Sequence, residues 1–338
     1  MSPGRGAPDW PSPSPRNPDS FLNVIRTALR TRDEHGAGAG AWIARGGIAL
    51  AVGMLLAWVF KPAFWPSDFG FVITACLALG ALIAFGGLGT SMQLERARGA
   101  HPDAAVDSVR AVLRIIIVFA LVTPFWSLFD QKASTWVLQG QSMVIPHDAW
   151  WWPSGIVQTA GQMQALNPIM VMAIIPFNNL VLYPALRRWG FEPTALRRMG
   201  WGIAIAGLAW ILAGLLQLRI DGGQAVPLSS QVWPYLILTF AEVLVSATAL
   251  EFAYSQAVQS MKGVIMALWY LTSTFGSLWV LITNAAVRNE AVTAQIAQTG
   301  YSENAFLMFF FAAFAFVAAL AFAAYARTYP MQDNYREA

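Results

Sequence analysis

Three carboxylates stand where carboxylates are costly. Glu242, Glu251 and Asp130 each lie in or at the end of an apolar stretch near the roughly 20 residues that cross a hydrocarbon core of about 30 Å. A charge at that depth costs about 2.5–3.5 kcal/mol on insertion scales, so it marks a pathway or a site by default. Glu242 is the clearest case. It falls near the bilayer midplane, roughly 15 Å into its stretch, where transporters commonly hold substrate and ions. A protonated or paired structural glutamate is the bland alternative. Ser246, at i+4, shares the face of Glu242. Glu251 follows nine residues later on the same helix, and steps of about 100° put it on the opposite face. Close to Tyr254, Ser255 and Lys262, it reads first as a structural or gating ion pair. Asp130 follows Trp126 by four residues and shares its face. If that helix continues through Trp136 to Leu138, Asp130 lies well inside the membrane; otherwise it is a helix-end aspartate. Lys132 is near it in sequence but on a different face. Asn167 and Pro168 open another apolar stretch, and helix capping alone is a sufficient account of that pair.

Other chemistry is not supported by the residues. His35, His101 and His147 are scattered outside the apolar stretches, too far apart for a metal site. Cys76, the single cysteine, lies within one and reads as a core thiol, so disulfides play no part. There is no Walker A, HExxH or GxSxG motif, which argues against an ATP-driven pump or a membrane protease. An enzyme is not expected, nor is any bound cofactor.

The elements that position these residues follow from composition. Of 338 residues 57% are apolar and only 12% charged, about half the charged fraction of a soluble protein. The apolar residues come in eight blocks, 41–60, 67–88, 111–131, 166–186, 200–218, 232–256, 263–285 and 304–326. Several are hydrophobic all round, which suits buried or lipid-facing helices. Barrel strands would be shorter and alternating. The expected fold is an all-α integral membrane protein with about eight spans.

Charge sets the orientation. With the N-terminus in the cytoplasm, inside segments hold 16 lysines and arginines, and outside segments hold only Lys61, Lys132, Arg219 and Arg288. That is the positive-inside pattern, with both termini cytoplasmic in the cell membrane. The basic balance follows from this asymmetry and does not point to nucleic acid. Residues 1–20 read as a disordered cytoplasmic tail without the features of a signal peptide. Phe21, Val24, Ile25 and Ala28 predict a short amphipathic helix lying on the cytoplasmic surface. Trp150, Trp151 and Trp152 in a long external loop read as an interfacial belt.

Several stretches, in order, resemble the proton-dependent oligopeptide transporters, the POT/PTR family of the major facilitator superfamily. Pro124-Phe125-Trp126-Ser127-Leu128-Phe129-Asp130-Gln131 with Ser134, Trp136 and Gln139 is similar to the family's seventh helix. Gln162-Met163-Gln164-Ala165-Leu166-Asn167-Pro168, then Pro176 and Leu182-Tyr183-Pro184, resemble the eighth. Glu242 through Glu251-Phe252-Ala253-Tyr254-Ser255-Gln256, then Met261-Lys262 and Trp269, resemble the tenth and eleventh.

The resemblance implies a proton-coupled symporter of di- and tripeptides. Glu242 would pair with the peptide amino terminus and Asn167 would bond peptide backbone. Trp126 and Trp269 would line side-chain pockets, with Ser273 beside Trp269 and Ser246 one turn from Glu242. Asp130 would belong to proton coupling and gating, with Glu251 and Lys262 at a gate. Residues 111–328 would form the C-terminal six-helix bundle and 41–90 two inserted transmembrane helices. Segments 21–40 and 91–110 would be cytoplasmic linkers, and 329–338 a cytoplasmic tail. The N-terminal bundle, with its ExxER motif and the basic residues for the peptide carboxylate, is not found in these residues. The expected partners are therefore the lipid bilayer, a peptide substrate and an N-terminal six-helix bundle encoded elsewhere. The alternative is a non-transporting binding or scaffold subunit, or a truncated gene product. Two departures from the family pattern stand out: Val258, where a proline is common, and Lys132, where the residue is commonly small or uncharged.

Overall fold

In lipid every backbone N–H and C=O must be satisfied within its own segment, so apolar blocks of spanning length become helices. The fold is that of a computed structural model, which describes residues 18–31, 38–62, 70–146, 149–150, 152–153, 157–256 and 261–330. The first and last tails, His35, His147, Trp151 and Val258 lie outside the described residues. Among the described residues eight helical runs are long and apolar enough to cross a membrane.

The first helix among the described residues is the short α1 (Phe21–Arg30), followed by α2 (Ala39–Phe60) and α3 (Phe71–Gln93), which ends in a 3-10 turn over Leu94–Ala97. Helix α4 (Asp103–Gln141) is next. The fourth membrane-length run joins a 3-10 turn (Ala160–Ala165), α5 (Leu166–Phe177), a π turn (Asn178–Leu182) and α6 (Tyr183–Arg188). Then come α7 (Ala195–Asp221), α8 (Val232–Gln256), α9 (Lys262–Val287), the short α10 (Glu290–Gln298) and α11 (Glu303–Ala326).

The structure adds detail at three places. Helix α4 is 39 residues long, far beyond the apolar block 111–131. It continues through Trp136, which is fully buried against Trp210 and Tyr235 at ring separations of 5.2 and 5.0 Å. Asp130 is therefore well inside the helix. Lys132, assigned to an outside segment on charge, is instead a helix residue only 5% exposed. The hydropathy signal breaks at Asp130-Gln131-Lys132, whereas the helix and its packing do not.

Helix α1 packs its apolar face on protein. Val24 and Ala28 are fully buried in the cluster that includes Leu94, Ala97 and Val106. His101 ties the same corner, with Nδ1 2.7 Å from Asp19 and Nε2 2.9 Å from Thr27. The tryptophan belt also divides: Trp150 is 95% exposed, while Trp152 is buried and donates from Nε1 to the Val157 carbonyl.

Helix α7 packs closely on both α8 and α11, and α4 on α9. The polar residues of α4 secure this bundle. Gln131 Nε2 donates to Thr135 and to Asn284 of α9 at 2.7 and 2.8 Å. Two turns on, Gln139 Nε2 donates to the Ala213 carbonyl of α7 at 2.9 Å, and Gln231 donates to Gln139 and to the Trp136 carbonyl. Residues 131, 135 and 139 recur at i+4, so one stripe of α4 is polar and faces protein. The pair α2–α3 crosses where a Cβ at Gly40 would come within 2.3 Å of the Gly89 carbonyl, an approach that only small residues allow. This pair meets the bundle chiefly through α3, which borders α4 and α9.

Candidate functional site

Glu242 sits in the middle of α8, half-buried. Its partner comes from α5. Asn167 Nδ2 donates to Glu242 Oε2 at 2.6 Å and to Thr239 Oγ1 at 3.1 Å. Thr239 precedes Glu242 by three residues and so shares its face. Asn167 is not the helix cap that its position beside Pro168 suggests. Thr159 is the cap of the preceding 3-10 turn, in a reciprocal capping box with Gln162. Asn167 falls inside the helical run, and its side chain is left for the cross-helix contact.

Two aromatic side chains expected at the site are in contact. Trp126 of α4 and Trp269 of α9 meet edge to face at 5.7 Å, with Phe119 5.3 Å from Trp269 and Phe129 5.8 Å from Trp126. A glycine makes this possible. A Cβ at Gly276 would lie 2.5 Å from Trp126 Cβ and 2.9 Å from the Ser127 backbone nitrogen. Among the described residues Trp126 Nε1 is buried without a hydrogen-bond partner, an indole N–H that the packed wall leaves unsatisfied.

Asp130 lies one turn from Trp126. Its Oδ2 accepts from Ser277 Oγ of α9 at 2.7 Å. Ser273 and Ser277 follow Trp269 at i+4 and i+8, which puts all three on one stripe of α9. Ser246 and Ser273 are both half-buried.

Lys132 belongs to the same region. Its ammonium lies 3.1 Å from the centre of the Phe129 ring, a cation–π contact, and is within electrostatic reach of both Glu242 and Asp130. Nothing in spacing predicts this, because Lys132 reads as an outside residue until α4 is known to continue.

Glu251 stands apart, and its cation is Arg198 of α7, with Nη2 3.6 Å away. Lys262, the cation nearest to it in sequence, instead lies over the Tyr254 ring at 5.6 Å. Thr239, Ser277 and Arg198 are the residues that the sequence did not single out. Helical spacing from Glu242 and Trp269 was a usable signal for the first two. Among the described residues no three histidines, cysteines or acids gather as metal ligands.

The arrangement offers a half-buried carboxylate oriented by an amide, an aromatic wall with that indole N–H, and a second carboxylate held by a hydroxyl. A primary ammonium near an apolar group is the ligand that chemistry suits.

Comparisons with known proteins agree on one family. The family model PTR2, described as the POT family, matches residues 70–300. A crystal structure of an auto-inhibited POT family peptide transporter superimposes with a TM-score of 0.87 at 58% identity, over 96% of this chain and 60% of that one. The in meso crystal structure of the POT family transporter PepTSo gives 0.84 at 54% identity, over 96% and 61%. Solute carrier family 15 member 1 of Homo sapiens is 30% identical over 132 residues, 38% of this chain and 17% of that protein. The chain thus spans about three fifths of the solved transporters, and its match covers a smaller part of the human relative.

Proposed function

The chain belongs to the POT family of proton-dependent oligopeptide transporters, and from that premise we propose that it supplies the C-terminal half of a proton-coupled symporter for di- and tripeptides. The observation that carries this reading is the contact of Asn167 with Glu242 at 2.6 Å, which joins two helices at mid-depth. Glu242 takes the peptide ammonium, through the carboxylate oxygen that Asn167 leaves free. Asn167 also bonds the peptide backbone. Trp126 and Trp269 form a side-chain pocket bordered by Ser273, and Ser246 extends the polar face of α8. Lys132 balances Glu242 while no substrate ammonium is present.

A coupling carboxylate must gain and lose a proton during the cycle. Asp130 fits that task, because the Ser277 hydroxyl can donate to its charged form and accept from its neutral form. Glu251 with Arg198, and Lys262 with Tyr254, form a gate at the end of α8.

In this proposal α4 through α11 form one six-span bundle, with α2 and α3 as an inserted pair. A second six-helix bundle faces Glu242 and holds the peptide carboxylate. The lysine and arginine bias supports both termini in the cytoplasm, and it strengthens once Lys132 leaves the outside count.

The test is uptake of a labelled dipeptide, driven by an imposed proton gradient, in liposomes holding this chain with its second bundle. Glu242→Gln abolishes uptake, and an N-acetylated dipeptide fails to compete. Equal competition by free and acetylated dipeptides would overturn the assignment of Glu242.

A further inference from the structure

A groove of about 780 Å³ runs between α3 and α4, away from the site described above. Its α3 side presents Gly80, Ala84, Gly87 and Ser91, and its α4 side Leu113, Ile117 and Ala120. The small residues of α3 repeat at helical spacing, so that face of α3 carries no bulk to fill the furrow beside α4. Phe275 of α9 closes the deep end, 3.4 Å from where a Cβ of Gly80 would be. Arg110 and Arg114 stand at the other end. No carboxylate lines the groove.

The two arginines are not equivalent. Arg110 is bound to Asp107 and Glu95. Arg114, one turn deeper on α4, has no carboxylate partner among the described residues. The phenols of Tyr325 and Tyr329 are within its electrostatic reach. A half-buried guanidinium at the end of an apolar furrow calls for an anion attached to a hydrocarbon chain. The dimensions agree. From Arg110 to Thr123 along α4 is about 20 Å, close to half of a bilayer that measures about 40–45 Å with its headgroups. Basic pockets between transmembrane helices are a known way to hold anionic headgroups.

We propose that this groove is a binding site for one anionic glycerophospholipid, its phosphate on Arg114 and an acyl chain along the small-residue face of α3. The lipid fills the seam between the α2–α3 pair and the bundle, and so sets how firmly the pair is held. This inference does not depend on peptide transport.

The test is native mass spectrometry of the protein taken from vesicles of phosphatidylglycerol mixed with phosphatidylcholine. One phosphatidylglycerol is expected to stay bound in preference to phosphatidylcholine. Arg114→Gln should weaken its retention about fivefold, the size of one basic side chain against an anionic headgroup, while Arg114→Lys retains it. Ala84→Phe, which fills the furrow, should remove the lipid with Arg114 intact, and circular dichroism on each variant checks folding. Equal retention of the two lipids, or no effect of Arg114→Gln, would overturn the proposal. So would displacement of the lipid by inorganic phosphate alone, which would make the site a simple anion site. Retention by a folded Ala84→Phe variant would equally overturn it, since the lipid would then be held outside the furrow.

Discussion

Asn167 of α5 and Glu242 of α8 are 75 residues apart in sequence and 2.6 Å apart in space. One amide hydrogen of Asn167 goes to the carboxylate and another to Thr239, so the orientation of the amide is fixed by both. Hydrogen bonds to charged groups contribute about 1.5–3 kcal/mol. Asn167→Ala should therefore raise the KM for dipeptide uptake roughly 10- to 100-fold, with thermal stability less affected. Glu242→Gln keeps the size and the contact with Asn167 but removes the charge, and uptake should be lost. An Asn167→Ala protein with lowered stability and unchanged KM would make the contact purely structural.

Asp130 and Ser277 make a second cross-helix contact, between α4 and α9. If Asp130 carries the coupling proton, Asp130→Asn should abolish uptake driven by a proton gradient. It should leave counterflow of labelled against unlabelled dipeptide, which needs no net proton movement. Ser277→Ala removes one neutral hydrogen-bond donor worth about 0.5–1.5 kcal/mol, so coupled uptake should fall only a few-fold. Accumulation by Asp130→Asn at the level of the unaltered protein would exclude that role.

How far the residues alone revealed this can be read at particular positions. Glu242 stood out because an acid inside an apolar block violates the hydropathy pattern, and the pattern marks all eight spans for the same reason. Its contact with Asn167 depends on how α5 packs against α8, a tertiary fact that no helical spacing encodes; the family resemblance named both residues but not their bond. The continuation of α4 past Asp130 was left open because hydropathy reports contact with lipid, whereas a helix can continue through polar residues that face protein. Gln131, Thr135 and Gln139 do that, and Lys132 was misplaced as a consequence. The arginine paired with Glu251 was also out of reach, since Arg198 belongs to another helix.

Gly276 sets the distance between α9 and the Trp126 turn of α4. A Cβ there meets the Trp126 Cβ and backbone atoms of Trp126 and Ser127, and these cannot swing aside as a side-chain tip would. Gly276→Val should cost about 1–3 kcal/mol, as overpacking of a well-packed contact does. It should also shift Trp126 against Trp269. Competition by dipeptides with bulky aromatic side chains should then weaken more than competition by dialanine. A uniform loss across both peptides would mean that the pair of tryptophans does not form the side-chain pocket.

Arg198 and Glu251 separate a stability role from a gating role. Glu251 is 69% exposed at its side chain and Arg198 17%, while the Arg198 guanidinium also lies over the Tyr183 ring at 5.1 Å. A pair this open to its surroundings is worth about 0–1 kcal/mol. A double-mutant cycle of Arg198→Gln and Glu251→Gln on thermal stability should give a coupling no larger than that. If the pair holds one end of the pathway closed, the single variants should change kcat for uptake while KM stays near its original value, because neither residue touches the peptide. Exchanging the two charges, Arg198→Glu with Glu251→Arg, should bring kcat part of the way back, with the remaining deficit due to the lost stacking on Tyr183. Single variants with unchanged kcat would leave the pair as a minor surface contact and move the gate elsewhere.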